Sequence, residues 1–371
     1  MHQAMGDLKI GGMAIRYSRF VPQLYNYCLS LGFKPAWIMP SRAFCSDESQ
    51  GYPIILIARH FGAFPFDHGQ VGGRVATDRH GPHAHHGEDL MLVHASHVGY
   101  DPDTRRFGVY RRPHTLHGEF GSCCGKLAGA LGWYQREYAH ACSEVRLGAA
   151  DGTPAVFIDN VLLDQRRAEG LFLHLDQLID PASPQPIKVL STSKAFASAP
   201  ALIARFADVD WRGQRQPIGE RLGADLFTFR RAPGVGSEGL DLLEEAIAPA
   251  MPQLVTSANP MLDAARYHTQ IEFDRAYRSL QYEPAYEGKN LLFVSGLNVD
   301  VSPREGQLFP LTKFVPWAAY GRLRDGREFL LEQDELHAAL TAQPVESADE
   351  IAFDSAIRAM AETESIELPA V

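Results

Sequence analysis

Two cysteines and one histidine are the residues of this chain whose types best match a metal site: Cys45, His97 and Cys124. Thiolate sulfur and imidazole nitrogen bind Zn²⁺ well, and three protein ligands leave the fourth tetrahedral position open for water. The three residues lie too far apart in the chain to form a local motif such as a zinc ribbon. The chemistry therefore predicts a catalytic zinc, provided that the fold brings the three side chains together.

Two of these residues follow runs that are typical of buried strands. Apolar residues 90–93 lead into His94 and His97, and the run 34–44 ends directly before Cys45. Open α/β sheets carry their binding sites at the carboxyl ends of parallel strands. We therefore expect both ligands at the edge of the sheet where such folds place their sites.

The third ligand stands at the predicted start of a helix. Cys123 and Cys124 come directly before Gly125, where a helical pattern begins. The positive end of a helix dipole favours the thiolate, which is the form that binds a metal. Adjacent cysteines rarely both bind one ion, so Cys124 is the expected ligand and Cys123 the alternative. The other two cysteines, Cys28 and Cys142, are expected to be packing residues.

The composition is that of an ordinary globular protein. The chain has 371 residues, of which 45% are hydrophobic and 22% charged, and a formal net charge of -10. This acidic balance argues against nucleic-acid binding, which needs a basic surface. No apolar run reaches the roughly 18 residues of a membrane span, and no signal-peptide core is present. We expect a cytoplasmic protein that acts on a small molecule, without nucleic-acid or membrane partners.

Strand and helix patterns alternate along the chain. This alternation predicts an α/β fold with a mostly parallel central sheet flanked by helices. No internal repeat or low-complexity linker marks a domain boundary. We expect one elaborated domain over residues 1–371, with 150–240 an insertion and 323–371 a peripheral C-terminal extension.

Other histidines leave two further interpretations open. His83, His85 and His86 suggest a second metal site, although surface clusters have the same spacing. Two H-x-E runs, starting at His86 and His117, fit half of the signature of zinc deaminases. The P-C-x-x-C half of that signature is absent, which disfavours a deaminase.

Five runs, in this order, resemble the limiting-CO2-inducible B/C family, which is similar to the β-carbonic anhydrases: FCSDES, GAFPF, VHASHVGYD, SCCGKLAGA and NLLFVSGLNVDV. The resemblance covers most of the chain and is weakest over 150–240. It implies a β-carbonic anhydrase-like fold and a zinc held by Cys45, His97 and Cys124. It also implies that Asp47 takes the aspartate position of the C-x-D motif, and that the protein is a homodimer.

One position departs from the β-class pattern. That pattern is C-x-D-x-R, in which the arginine holds the aspartate away from the metal, and the fifth position here is Ser49. We expect Arg59 to supply the missing charge, with Arg42 as the alternative. Without such a partner, Asp47 would close onto the zinc as a fourth ligand and leave an inactive state.

The resemblance implies a carbonic anhydrase, a lyase that reversibly hydrates CO2 to bicarbonate by means of zinc-bound hydroxide. Asp47 is expected to accept a hydrogen bond from the hydroxide and orient it. His94 is the candidate proton shuttle, because an ordinary histidine pKa near 6.5 suits that task, and a buried core histidine is the other interpretation. Phe64, Phe66 and Val98 are expected to line a slot for CO2.

Two alternatives belong to other functional classes. The first is a zinc-containing protein of the same fold that binds bicarbonate or CO2, or acts as a scaffold, without turnover; the missing arginine motivates it. The second and weaker one is a zinc hydrolase, in which Glu48 or Glu119 would be the general base.

Overall fold

The computed structural model describes residues 7–69, 73, 75, 89–112, 119–231, 240–304, 307, 309–346 and 350–362. The chain divides into two compact units. The middle unit is Gly125–Tyr267, and the sheet unit consists of the chain before and after it. The predicted insertion, 150–240, lies inside the middle unit, whose bounds are wider.

Numbered along the chain, the strands are β1 Ile15–Arg16, β2 Ile38–Ala43, β3 Phe66–Asp67, β4 Asp89–Asp101, β5 Arg106–Phe107, β6 Val109–Arg111, β7 Phe120–Ser122, β8 Val145–Ala150, β9 Thr153–Asp159, β10 Gly170–Leu173, β11 Lys188–Val189, β12 Ser193–Ala197, β13 Gln216–Pro217, β14 Phe227–Arg230, β15 Leu291–Val301, β16 Leu311–Arg322 and β17 Glu328–Leu331. The helices are α1 Tyr17–Ser30, α2 Gly51–Phe61, α3 Gly125–Glu144, α4 Asn160–Leu163, α5 Leu175–Leu178, α6 Pro200–Arg205, α7 Leu240–Ile247, α8 Met251–Val255, α9 Pro260–Gln281, α10 Gln333–Thr341 and α11 Phe353–Glu362. Short 3₁₀ helices cover Glu48–Gln50, Gly219–Arg221, Ala248–Ala250 and Pro284–Tyr286. Among the described residues, no helix is long and apolar enough to cross a bilayer.

The central sheet of the sheet unit has the strand order β1-β16-β15-β4-β2-β3. Within this sheet, the adjacent strands β15, β4, β2 and β3 run parallel to one another. Strand β16 adds to β15 in the antiparallel sense, and β1 and β17 pair with β16. The predicted α/β fold with a mostly parallel central sheet flanked by helices is confirmed.

Strand β4 is the centre of this sheet, and nearly all of its residues are buried. Strands covered on both faces are expected to carry such continuous apolar runs. One face packs against α1 and α2 in a cluster that includes Phe20, Ile57 and Val93. The other packs against α9 in a cluster that includes Leu92 and Phe273. Because successive side chains of a strand alternate between faces, His94 and His97 point to opposite sides of the sheet.

The middle unit is built differently. Its five-stranded sheet has the order β11-β12-β9-β8-β13, and all of its neighbouring strands are antiparallel. Strands β10 and β14 form a separate antiparallel pair. The alternation of strand and helix patterns predicted a mostly parallel sheet and did not predict this antiparallel one. Strands such as β8 and β9 are joined by connections too short for a parallel crossover.

Candidate metal centre

The structure brings Cys45, His97 and Cys124 together inside the sheet unit. One ligand atom of each residue lies within 4.8 Å of the ligand atoms of the other two, and all three residues are buried. The two sulfur atoms are 3.8 Å apart. This buried group, with the sulfur and nitrogen donors that zinc prefers, can hold a metal ion.

Local structure explains how the ligands reach one place. Cys45 lies just beyond the carboxyl end of β2, and His97 lies on β4, the strand parallel to it. Backbone hydrogen bonds from Gly99 N to Cys123 O, 2.9 Å, and from Cys123 N to Gly108 O, 3.0 Å, hold the cysteine pair against β4. A side chain at Gly99 would lie 2.8 Å from the Cβ of Cys123, so only glycine permits this approach. Because β4 continues to Asp101, His97 lies within its strand and not at the expected strand end. Cys45 and His97 are joined by a third ligand from a non-neighbouring segment.

His97 is held by a carboxylate that the sequence patterns did not identify. Its Nδ1 lies 2.9 Å from Oδ2 of Asp300 on β15, and both side chains are fully buried. Its Nε2 is buried and makes no hydrogen bond to any described residue. With Nδ1 donating to the carboxylate, the neutral ring carries its lone pair on Nε2, where a metal can bind. This unsatisfied nitrogen fits a metal ligand.

The neighbouring groups shift the proton affinities of the site. Burial alone would lower the pKa of His97, but Cys123 and the bond to Asp300 raise it well above its ordinary value. Contact with Cys45 and burial raise the pKa of Cys124. Burial and the nearby Asp300 raise the pKa of Cys123 to about 12. Without a metal Cys124 and the ring of His97 keep their protons, so metal binding must displace them.

Asp47 lies beside this group. Its Oδ1 accepts a hydrogen bond from Ser49 N at 3.1 Å and so caps the 3₁₀ helix that follows. Its carboxylate also forms a second ligand group with His97 and Cys123, with the three atoms within 4.8 Å of one another. Burial raises the pKa of Asp47. The residue therefore acts as a helix cap and also stands next to the candidate metal.

The expected charge partner of Asp47 was misassigned. Arg59 forms an ion pair with Glu350, because the last turn of α2 faces the segment around that residue. Arg42 pairs with Asp67 at 2.8 Å. A different cation, Arg112, follows β6 and lies beside Glu48, the residue after Asp47.

Arg112 forms an ion pair with Glu48. Its Nε lies 3.1 Å from Oε1 of Glu48, and that same oxygen accepts a hydrogen bond from Tyr110 at 2.5 Å. Burial lowers the pKa of Arg112, but Tyr110, Glu48 and Asp47 raise it above its ordinary value. The guanidinium lies over Gly121, where a Cβ would be 3.0 Å from Nε. A guanidinium that is distant in sequence thus lies beside Glu48, the residue after Asp47.

His94 lies on the opposite face of β4. It is fully buried, its Nδ1 lies 2.8 Å from Ser295 Oγ, and burial lowers its pKa to about 3. A histidine with that pKa takes up no proton near neutral pH. These contacts favour the buried core interpretation over the proton shuttle.

The remaining candidates are less informative. Phe64 and Phe66 are 65% and 46% exposed, and Phe64 packs against Phe353, so they do not form a closed slot. Val98 is buried, but its place in the strand alternation puts it on the face of His94. The histidines of the possible second metal site and the residues of the two H-x-E runs lie mostly outside the described residues: His83, His85, His86, Glu88 and His117.

Comparisons with known proteins bear on the fold. No protein-family model matches the chain, and no curated protein matches it. The solved structure of PtLCIB4, described as a homologue of the limiting CO2-inducible protein LCIB, is 13% identical with a TM-score of 0.51 and covers 86% of this chain and 95% of that one. A point mutant of PtLCIB4 is 12% identical with a TM-score of 0.51, and the match covers 86% and 93%. The resemblance seen in the sequence is thereby confirmed in the structure: this chain has the fold of the limiting-CO2-inducible proteins.

Proposed function

We propose that this protein is a zinc-dependent carbonic anhydrase that reversibly hydrates CO2 to bicarbonate. The observation that carries the proposal is the buried group of Cys45, His97 and Cys124, with the Nε2 of His97 unsatisfied. Bound there, Zn²⁺ would lower the pKa of a water molecule to about 7 and so supply a nucleophile at neutral pH. The fold likeness to LCIB homologues supports the same class of protein.

The chain's own residues have distinct parts in this proposal. Cys45 and Cys124 would hold the zinc as thiolates, and Cys124 would first give up the proton that it holds in the metal-free site. His97 binds through Nε2. The carboxylate of Asp47 stands at the ligand group and can accept a hydrogen bond from a reacting water, which would fix the direction of its lone pair. Binding and orientation are therefore assigned to different side chains.

A second candidate function is a zinc-containing protein of this fold that binds bicarbonate or CO2, or acts as a scaffold, without catalysis. The observation that favours it is the second ligand group, in which Asp47 lies with His97 and Cys123. A carboxylate that close can become a fourth ligand and exclude water. Anion binding to the metal separates the two functions, since only an open site binds azide or thiocyanate.

Metal removal and restoration test the proposed activity. CO2 hydration is measured by stopped flow on the purified protein, on protein stripped with a chelator, and on protein reloaded with Zn²⁺. We expect hydration that disappears on stripping and returns in proportion to zinc. Cys124→Ser should lose zinc and activity together, whereas Cys142→Ser, which changes a thiol outside the ligand group, should keep both. Full zinc occupancy in Cys124→Ser would contradict the ligand assignment.

Two further parts of the proposal come from the sequence. The resemblance implies a homodimer, which light scattering coupled to size-exclusion chromatography measures directly. The expected cytoplasmic location is a prediction that fractionation of the source cells tests.

A further inference from the structure

Asp300 is a buried carboxylate at the centre of a hydrogen-bond network. It lies on β15, where it is the register partner of Gly99 on β4, and its side chain is fully buried. A buried charge is costly unless it is paired and hydrogen-bonded. The partners of Asp300 therefore indicate why the fold tolerates it.

Five side chains donate to this carboxylate. Oδ2 lies 2.9 Å from His97 Nδ1, from Ser49 Oγ and from Gln50 Nε2, and 3.5 Å from Cys123 Sγ. Oδ1 accepts from Thr312 Oγ1 at 2.8 Å. Carboxylate oxygens accept such bonds, so the donors satisfy the buried group. The network thus places the carboxylate of Asp300 against the Nδ1 side of the imidazole.

The orientation of the Gln50 amide is fixed by residues behind it. Its Oε1 accepts from Asn298 Nδ2 at 2.7 Å, and Asn298 Oδ1 accepts from the hydroxyl of Tyr17 at 2.8 Å. The amide nitrogen of Gln50 must therefore face Asp300. All of these side chains are buried, so water does not compete for the bonds.

We infer that Asp300 is a positioning residue for the metal ligand His97. Its carboxylate fixes the tautomer with the proton on Nδ1, orients the ring, and presents Nε2 toward Cys45 and Cys124. Metal-binding histidines are generally supported in this way, and loss of the support costs about 10- to 100-fold in metal affinity. The inference rests on the proposed metal site and not on CO2 hydration.

Ser49 gains a role from this arrangement. Its hydroxyl donates to Asp300, and its backbone N–H donates to Asp47. A single residue thus connects the carboxylate beside the metal group with the carboxylate behind the histidine. The position that carries arginine in the β-class pattern here supports the ligand histidine.

The test is the zinc affinity of Asp300→Asn, measured by competition with a chromophoric chelator, together with the visible spectrum of the Co²⁺-loaded protein. Asparagine keeps the volume but lacks the charge. We expect zinc to bind about 10- to 100-fold more weakly, with an altered Co²⁺ spectrum.

Asp89→Asn is the matched control. Asp89 is equally buried and starts β4, the strand that carries His97. It bonds to Asn290 and Arg324 instead of the metal group. This control should alter stability while leaving zinc affinity unchanged.

Unchanged zinc affinity and Co²⁺ spectrum in Asp300→Asn, with a loss of stability like that of Asp89→Asn, would show a purely structural role and overturn the inference. If Asp300→Asn does not fold, Ser49→Ala and Gln50→Met each remove one donor, and each should weaken zinc binding by a smaller factor. No change in either variant would also overturn it. A wild-type protein that binds zinc tightly but hydrates no CO2 would end the proposed function and leave this inference intact.

Discussion

His94 and His97 lie three positions apart on one strand, and their surroundings differ on the two faces of the sheet. Both rings are fully buried, and each leaves its Nε2 without a hydrogen bond to a described residue. Burial lowers the pKa of His94 to about 3, whereas Cys123 and Asp300 raise that of His97 well above its ordinary value. An unsatisfied buried nitrogen is therefore not enough to identify a ligand.

The decisive difference is what surrounds each ring. His97 has thiols and a carboxylate beside it, and it belongs to both potential metal-binding groups found among the described residues. His94 faces Ser295 and the ring of Phe293, has the carboxylate of Glu272 nearby but no thiol, and belongs to neither group. The comparison separates a histidine set up to bind a cation from one kept neutral by burial.

The largest expected effect comes from exchanging each histidine for asparagine. His97→Asn removes a nitrogen ligand, and we expect it to lose zinc at micromolar concentration. His94→Asn removes an equally buried ring from the other face and should keep full zinc occupancy, as measured by atomic emission on dialysed protein. Equal zinc loss in both variants would mean that the two faces do not differ in the way described.

Asp47→Ala separates metal binding from chemistry within the site. The variant keeps Cys45, His97 and Cys124, so zinc content should stay at the wild-type level. CO2 hydration should fall about 100-fold or more, because the group that orients the reacting water is lost. Hydration at the wild-type rate would remove Asp47 from the mechanism.

A smaller effect is expected from Arg112→Ala. The guanidinium pairs with the partly exposed Glu48 and acts on Asp47, and such exposed pairs contribute up to about 1 kcal/mol. Hydration should therefore fall roughly two- to fivefold at unchanged zinc content.

Arg111→Ala is the control for Arg112→Ala. Arg111 lies at the end of β6 and pairs with Asp103 at 3.3 Å, so its loss should leave hydration unchanged. Equal losses of activity in the two variants would point to a general effect on this segment rather than to the charge beside Asp47.

A further expected effect concerns stability and not activity, and it isolates His94. Above pH of about 6.5 the ring is neutral in both the folded and unfolded states. Below that pH, His94 binds a proton in the unfolded chain. In the folded protein its pKa of about 3 keeps the ring neutral until much lower pH. The free energy of unfolding should thus fall with decreasing pH, with His94 contributing up to about 1.4 kcal/mol per pH unit.

Urea unfolding at a series of pH values measures this contribution. In His94→Asn, the decrease of stability toward acid should be less steep than in the wild type. Parallel curves for the two proteins would mean that His94 is protonated in the folded state.

The sequence predicted those parts of the site that follow from local patterns. Cys45 and His97 follow apolar strand runs, and Cys124 precedes a helix, so each could be placed at the end of an element. In the structure His97 lies inside β4, and the parallel pairing of β2 with β4 brings Cys45, just beyond the end of β2, close to it. The α/β class followed from the same alternation of strands and helices.

The sequence could not reveal the partners created by distant pairing. Asp300 stands within a run that is typical of a buried strand, and a charged residue in such a run was the available signal. Its contact with His97 depends on β15 lying beside β4, which spacing does not encode. Arg59, with Arg42 as the alternative, was the expected partner of Asp47, but these two pair with Glu350 and Asp67. The contact of Arg112 with Glu48 joins segments that are distant in sequence, which spacing also does not encode.

The pH dependence of CO2 hydration, measured by stopped flow on protein of known zinc content, tests the central claim most directly. We predict turnover that is proportional to zinc, rises from acid to alkaline pH and then levels off. One zinc per chain with no turnover even at alkaline pH would contradict the proposed activity, and would favour the binding or scaffold protein in which Asp47 closes the site.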